Sequence, residues 1–346
     1  MRKFILSILL FSFVSTSFML CGFSFFKKKE KQTTQIQQEV FSQEKKDTWC
    51  ITFQLIWNDF LDTLFDGKPV EFVGGNTPLV DELNQRLYSK DLLSENSYYI
   101  TNDVISKKLK RQIEKDIKKK FNEKSDILDM IDWNAKNSLL FYTMLKKDFT
   151  FLKAFDKLPS QKFNNSNDKV KYFGITEKSK SDLYANVRVL FYNNENDFAI
   201  SLKTKENEDV ILYRTENETS FENSFKEVQE KTKISAEFNH RDVLKVPNID
   251  VNKLIRYQEL CNKTIKNSDY QISQALQTIK FKLDDKGGTL KSEAAMSVRC
   301  TSLAPPMVEK RFFIFDKPFV LFLKEDSKDK PYYAMKVSDT KYLVKE

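Results

Sequence analysis

The segment that most clearly suggests a function lies near the C-terminus, where a glycine pair precedes a run of small side chains. Gly287 and Gly288 permit backbone angles that other residues resist, so together with Thr289 they predict a hinge. The side chains that follow alternate in character, and the small or apolar ones are Leu290, Ser292, Ala294, Met296, Val298 and Cys300. Since strand side chains point alternately to opposite faces, the segment could become a half-buried strand with this set inward. The opposite parity would bury Lys291 and Glu293, which is costly for unpaired charges.

The rest of the sequence has no comparable catalytic or metal-binding pattern. His240 is the only histidine, which argues against a His-based triad or a multi-His metal centre and is more simply a surface or core residue. Cys50, Cys261 and Cys300 lack the short paired spacing of a zinc site and allow at most one disulfide among them. No catalytic motif organises the acidic residues. We therefore expect no enzymatic activity, no cofactor and no metal.

Apolar periodicity predicts the elements that position the hinge. Residues 275–283 alternate as a strand that runs directly into the glycine pair. Three further runs rich in β-branched and aromatic residues predict a meander of strands at 187–192, 198–202 and 210–213. Helical spacing of apolar residues predicts helices at 51–64, 104–121 and 220–233. The mixture indicates an α+β fold.

The helix predicted at residues 104–121 is strongly basic. Its apolar residues recur four apart, and lysines with Arg111 fill the other faces. This pattern suits either a site for a heparin-like polyanion or acidic membrane, or an ordinary solvated face with Lys–Glu pairs. The net charge of +8 is spread among alternating basic and acidic residues, so we expect no dedicated nucleic-acid binding.

The N-terminal residues predict a leader and a tether. Residues 1–22 resemble a signal peptide, with a basic start, an apolar run and the small residues Ser15 and Ser17. The alternative is a signal anchor, because the uncharged run 4–26 is long enough to span a bilayer. Residues 23–47 are polar and Gln-rich and predict a linker, followed by one domain at 48–346. We expect a secreted protein, or with the alternative a membrane-anchored one.

Four motifs resemble those of one protein family. Asp316-Lys317-Pro318-Phe319 lies within an aromatic and aliphatic run, 313–323, that predicts a single strand and matches the family's C-terminal signature. Further matches are Leu145-Lys146-Lys147-Asp148-Phe149, Val246-Pro247-Asn248-Ile249 and Ala334-Met335-Lys336-Val337. On these motifs the chain resembles the serpins, and the matches extend over roughly residues 139–337. The chain departs from the family at Phe141, where serpins carry an asparagine, and at Leu290-Lys291-Ser292, which interrupts the hinge motif.

The resemblance implies helices packed on three β-sheets, with an exposed reactive-centre loop near the C-terminus. In that family a protease cleaves the loop, the loop inserts into the main sheet, and the trapped protease is inactivated. The resemblance thus implies a monomeric suicide inhibitor of a serine endopeptidase or a cysteine protease. The implied loop residues are Ser292, Glu293, Ala294, Ala295, Met296, Ser297 and Val298. The alternative is a non-inhibitory serpin-fold protein with an interaction, chaperone-like or polyanion-binding role.

The resemblance to serpins places the scissile bond by counting along the loop from the first residue that points inward on insertion. Two residues could be that first inward residue. Counting from Thr289 puts the bond at Ser302–Leu303, whereas counting from Leu290 puts it at Leu303–Ala304. Arg299–Cys300 is the only basic site nearby and would suit a trypsin-like protease. Leu303 would instead suit a chymotrypsin-like or elastase-like enzyme.

Overall fold

The structure, a computed structural model, describes residues 47–233, 235–290 and 310–346. Within these residues the four α-helices are α1 Thr52–Leu64, α2 Pro78–Asn84, α3 Lys107–Phe121 and α4 Phe221–Lys231. Short 3₁₀ turns lie at Lys90–Leu92, Leu128–Met130, Ser181–Asn186 and Gln258–Leu260. The predicted helices at 51–64 and 220–233 are therefore confirmed within a few residues. None of the helices described is long and apolar enough to cross a membrane.

The strands are collected in sheets of seven, four, four and two strands. In chain order they are β1 Thr48–Cys50, β2 Tyr98–Val104, β3 Leu139–Leu145, β4 Lys147–Thr150, β5 Asp156–Lys162, β6 Lys169–Ile175, β7 Val187–Asn194, β8 Asp197–Lys203, β9 Glu208–Arg214, β10 Ala236–Glu237, β11 Val243–Pro247, β12 Ile249–Arg256, β13 Leu276–Asp284, β14 Gly287–Leu290, β15 Phe312–Ile314, β16 Phe319–Glu325 and β17 Tyr333–Val337. Together with the helices they confirm the predicted α+β class.

The seven-stranded sheet has the order β1-β17-β16-β9-β8-β7-β10, with every pairing antiparallel. It contains the predicted meander as β7, β8 and β9. Every residue of β9 is buried, because α4 packs on one face of the sheet and the main core lies on the other. The ring of Phe322 on β16 meets Phe225 of α4 at a centroid distance of 5.3 Å. Burial on both faces explains why these strands are apolar throughout.

The C-terminal run 313–323 is two strands rather than the single strand that the sequence suggested. β15 pairs parallel with β11 in one four-stranded sheet, whereas β16 lies between β17 and β9 in the seven-stranded sheet. The chain turns between them at Pro318, which has no backbone N–H to give to a ladder. Arg214 holds this corner by donating from Nη1 to the Pro318 carbonyl oxygen at 2.8 Å.

The remaining sheets surround the hinge. One four-stranded sheet has the order β15-β11-β6-β5, and the other has the order β12-β13-β14-β4. β2 and β3 form a separate antiparallel pair. The helix α3 covers this pair, with its apolar stripe packed on Tyr142 and Met144 of β3.

The basic helix begins three residues later than predicted. Val104 is the last residue of β2 and pairs with Leu139, so it cannot also be helical. Ser106 caps the helix, its Oγ accepting a hydrogen bond from the backbone N–H of Leu109 at 3.1 Å. The predicted leader at 1–22, the anchor alternative at 4–26 and nearly all of the linker at 23–47 lie outside the described residues.

Candidate functional site: a hinge strand at the mouth of an open slot

The predicted hinge residues form β14, a strand held on both sides. Gly287–Leu290 pairs antiparallel with β13 on one edge and with β4 on the other. Asp285 and Lys286 form the turn through which β13 reverses into β14. The backbone N–H of Phe151 donates to the carbonyl oxygen of Lys286 at 2.9 Å, which ties this turn to the chain after β4. We call β14 the hinge strand.

Both glycines of the hinge strand are required by close approach. A Cβ atom on Gly287 would lie 2.2 Å from the carbonyl oxygen of Phe149, and one on Gly288 would lie 2.5 Å from the Phe149 ring. Both distances are shorter than any ordinary carbon contact. The glycine pair therefore lets the hinge strand enter between β13 and β4, which is a more specific role than general flexibility.

The hinge strand also fixes which side chains point inward. Leu290 is 2% exposed and belongs to the main core, whereas Thr289 is exposed. Strand side chains alternate, so the even-numbered residues beyond Leu290 would share its inward direction if the strand continued. This agrees with the parity that avoids burying Lys291 and Glu293.

Beyond Leu290 the described strands leave a gap in the sheet. Among the described residues, β3 pairs only with β2, and residues 276–280 of β13 pair only with β12. A cavity of about 70 Å³ lies in this region, with Leu145 on one side, Ile279 on the other and Leu290 at its upper end. We call the gap between β3 and β13 the slot. Its facing edges present backbone groups of the kind that an added strand would pair.

The wall of the slot is partly polar. Gln277 lies in it, donating to the carbonyl oxygen of Cys50 at 3.1 Å and accepting from the hydroxyl of Tyr257 at 2.7 Å. Across the slot, the buried Thr143 Oγ1 has no hydrogen-bond partner within the described part of the chain. Cys50 also lines the cavity, and burial raises the pKa of its thiol. The slot is therefore lined by mixed rather than purely apolar groups.

A cluster of buried charged side chains lies next to Leu290, at the end of the slot. Lys147 of β4 pairs with Leu290 in register, and its side chain is 1% exposed. Its Nζ lies 2.6 Å from Glu208 Oε1 and 2.9 Å from Glu325 Oε1, at the ends of β9 and β16. Nζ also lies 4.7 Å from the ring centroid of Tyr332, whose hydroxyl donates to Glu208 Oε2 at 2.7 Å. The cluster thus ties β4 to the seven-stranded sheet.

The charges of this cluster do not balance. Two carboxylates face one ammonium, and all three groups are buried. Burial raises the pKa of Glu208 to about 7, with the opposing pull of Lys147 smaller than the cost of desolvation. Burial also lowers the pKa of Lys147. Glu325 also accepts a hydrogen bond from the backbone N–H of Ser94 at 3.0 Å.

The structure brings together residues that the sequence could not connect. Glu208, Glu325 and Tyr332 are separated from Lys147 by at least 61 positions, and carboxylates are too common in this chain to stand out. Only Lys147 lay in a recognised motif. The loop residues Ser292, Glu293, Ala294, Ala295, Met296, Ser297 and Val298, and the scissile candidates Arg299, Cys300, Ser302 and Leu303, lie outside the described residues.

Other chemistry finds little support at this site. In the described residues no group of His, Cys, Asp and Glu side chains could hold a metal ion. Cys50 and Cys261 are both free thiols, and His240 is exposed. Within the part of the chain that the structure describes, the hinge strand ends at Leu290, beside the edges of β3 and β13 that face the slot.

Comparison with known proteins places this architecture. No protein-family model and no curated protein sequence matches the chain. Solved structures do match: a cleaved serpin 42Da is 11% identical, covers 87% of this chain and 93% of its own, and has a TM-score of 0.51. Human thyroxine-binding globulin is 15% identical over 87% and 94%, with a TM-score of 0.46. Serpin48 of the insect Tenebrio molitor is 12% identical over 82% and 94%, with a TM-score of 0.43. The resemblance in the sequence is therefore confirmed at the level of architecture: this chain has the serpin fold.

Proposed function

We propose that this protein is a secreted inhibitor of a serine endopeptidase that acts as a suicide substrate. The protease cleaves the loop after the hinge strand, and the freed segment adds to the sheet between β3 and β13. The observation that carries the proposal is the seated hinge strand at the mouth of the slot. An added strand satisfies the backbone groups on both facing edges, which supplies the driving force.

The register of the hinge strand supports insertion of the predicted loop segment. Leu290 pairs with Phe281 on β13 and with Lys147 on β4. Because both pairings are antiparallel, each further loop residue would pair with the next lower residue number on β13 and on the β4–β3 side. Continued in this way, residue 295 would reach Leu276 and residue 298 would reach Leu139, which are the ends of the two edges. The open edge of β3 is therefore as long as the run of loop residues that ends at Val298, whereas the open edge of β13 ends three residues earlier, at residue 295.

The inward positions suit the small residues of the loop. In the same register Ser292 would lie between Leu145 and Ile279, both nearly fully buried. Ala294 would lie between Thr143 and Gln277. Small side chains enter such positions without a steric cost, whereas a charged one would be buried without a partner.

The position of Leu290 bears on the scissile bond. Leu290 is the first residue of the hinge strand with a long side chain in the core, and Thr289 points outward. Counting from Leu290 by the serpin rule puts the cleaved bond at Leu303–Ala304. We therefore propose Leu303 as the residue that attracts the protease, which favours a chymotrypsin-like or elastase-like target over a trypsin-like one.

The test is a panel of chymotrypsin-like, elastase-like and trypsin-like proteases incubated with the full chain. We expect a protease–protein complex that survives denaturing gels, a cut after Leu303 by mass spectrometry, and a large rise in the melting temperature of the cleaved protein. Cleavage with neither a complex nor a rise in melting temperature would overturn inhibition by insertion. A complex formed by cleavage after Arg299 would keep the mechanism and overturn the assignment of Leu303.

A further inference from the structure

The outer edge of β2 has no partner strand among the residues that the structure describes. β2 pairs antiparallel with β3 on its other side, and the backbone N–H of Ile105 continues that ladder by donating to the Ser138 carbonyl oxygen at 2.8 Å. Because backbone groups alternate between the two sides of an antiparallel strand, every second residue of β2 directs them away from β3. These residues are Tyr98, Ile100, Asn102 and Val104. The N–H of Val104 is bonded to the Asp103 side chain at 2.7 Å, whereas the backbone groups of the other three have no backbone partner in the described residues.

Apart from the two edges of the slot, the other long edge strands in the described part of the chain are protected against pairing. β5 carries Lys157 and Pro159 and has a register shift against β6. β12 carries Lys253, and its first residue is bridged to Leu343. β2 has seven residues, with no lysine, proline or register shift among them. Lysine, proline and bulges are the usual means by which proteins keep edge strands from pairing, so the edge of β2 has the character of one that is used.

The two ends of β2 carry opposite charges. Glu95 lies just before the strand, whereas Lys107 and Lys108 begin α3 just after it, and all three side chains are exposed. Two antiparallel copies of the strand would place the acidic end of each beside the basic end of the other. Val104, which is 55% exposed at the basic end, would be covered in the same contact. Charge and apolar exposure together favour a second copy of this chain as the partner of β2.

We propose that two copies of this protein pair through the outer edges of β2 to form a symmetric dimer. With the twofold axis at Ile100, Tyr98 of each copy would face Asn102 of the other, and Ile100 would face its own counterpart. The three outward residues would then satisfy one another through about six hydrogen bonds between the chains. This assembly differs from the monomer that the resemblance implied, and it does not depend on protease inhibition.

The first test removes one outward N–H group. Asn102→Pro places a proline ring where this N–H would meet the other copy, but it leaves the hydrogen bonds between β2 and β3 intact. Asn102→Ala is the matched control, because both variants lose the side-chain bond to Asp59 and only the proline variant loses the N–H. The mass of the full chain is measured by light scattering after size-exclusion chromatography, from about 1 to 200 μM. We expect the wild type and Asn102→Ala to form dimers, and Asn102→Pro to raise the dissociation constant about tenfold or more.

The second test reverses the charges at the two ends of β2, using exposed side chains only. Lys107→Glu combined with Lys108→Glu places acid against acid and should raise the dissociation constant about tenfold. Adding Glu95→Lys should restore the dimer, because the opposite charges then face each other again. Lys178→Glu combined with Lys180→Glu changes the net charge equally at exposed positions elsewhere and should leave the dimer intact.

A monomer across the whole concentration range would overturn the proposal. So would an equally stable dimer in Asn102→Pro and Asn102→Ala, or an equal loss in the two pairs of lysine variants. A dimer that is lost on charge reversal at Lys107 and Lys108 and is not restored by Glu95→Lys would contradict the antiparallel arrangement. Because the charge variants alter only exposed side chains, they decide the question even where Asn102→Pro folds poorly.

Discussion

The seven-stranded sheet and the four-stranded sheet that contains the hinge strand differ in how completely their strands are paired. In the first, β9 and β16 have a paired neighbour on each side along most of their length and are buried on both faces. In the second, the described pairing ends at Leu290, and within the described residues no strand pairs with residues 276–280 of β13 on the side of the slot or joins them to β3. This pairing makes the first sheet a fixed base. Under the proposed mechanism, the second sheet would gain free energy when the cleaved loop adds a strand to it.

The largest expected effect comes from placing a charge inside the slot. Ser292→Glu would bury an unpaired carboxylate between Leu145 and Ile279 on insertion, so we expect it to abolish the stable protease complex and the rise in melting temperature. The protease should then cleave the loop as an ordinary substrate and dissociate. The measurement is the yield of gel-stable complex per cleavage event.

Lys291→Glu is the matched control, because it places the same acid one residue away on the outer face. It should still form the complex. If Lys291→Glu abolished the complex and Ser292→Glu did not, the parity set by Leu290 would be wrong.

Truncations in the two sheets should have different costs. Phe322→Ala removes a fully buried ring from the seven-stranded sheet and should destabilise the uncleaved protein by about 3–5 kcal/mol. Ile279 lies beside the cavity, so its truncation loses fewer contacts. Ile279→Ala should lower the free energy of unfolding by about 2 kcal/mol. Chemical denaturation of the uncleaved protein measures both.

The costs of these two truncations should respond differently to cleavage of the loop. An inserted strand would surround Ile279, so its truncation should then cost more than before, while the cost of Phe322→Ala should stay the same. An unchanged cost at Ile279 would mean that the slot stays unfilled.

The buried charge cluster that joins the two sheets predicts a pH effect. The pKa of Glu208 is about 7 in the folded protein and near 4.5 when unfolded, so the folded state holds this proton more tightly. The stability from this group is fully present below pH 4.5 and is lost as pH rises to about 7. We expect a loss on the order of 2 kcal/mol over this range.

Glu208→Gln isolates this effect, because the amide does not titrate. The free energy of unfolding of the wild type minus that of the variant should decrease from pH 4.5 to 7.5. A difference that stays constant, or that increases, would contradict the assignment. Lys147 has a lowered pKa and contributes with the opposite sign at higher pH, so the measurement stops at pH 7.5.

The smallest effect concerns the rate of insertion. In the inserted register Lys291 would lie between Lys146 and Lys280 on the outer face, and like charges directly opposite destabilise strand pairing. Lys291→Glu should therefore speed insertion by about twofold to fivefold, seen as less loop cleaved without trapping. The neutral Lys291→Gln should fall between the two. A slower Lys291→Glu would show that these lysines are not neighbours.

Much of this architecture was predictable from local patterns. Runs rich in β-branched and aromatic residues predicted β7, β8 and β9, and alternating apolar residues predicted β13. Helical spacing predicted α1 and α4, because each of these patterns depends on near neighbours. The single strand proposed for 313–323 was wrong, since sheet membership depends on partners far away in sequence. The inward direction of Leu290 was predicted from the charges that follow it.

The site itself was only half predictable. The glycine pair marked the hinge, but the sequence does not reveal that Phe149 passes close enough to require both glycines. The buried charge cluster left no signal, because its members come from three separate parts of the chain and each is an ordinary residue type. Such clusters depend on how sheets stack, which periodicity within one strand does not encode.

The place of β16 in the middle of the seven-stranded sheet has a consequence for synthesis. β1, at the start of the described residues, pairs with β17 near the end, and β16 fills the position between β17 and β9. Because the chain is made from its N-terminus, more than a hundred residues must be synthesised after β9 before β16, its second neighbour, exists. Contacts so distant in sequence form slowly. The nascent protein therefore completes its seven-stranded sheet late, and chaperone protection matters most in that interval.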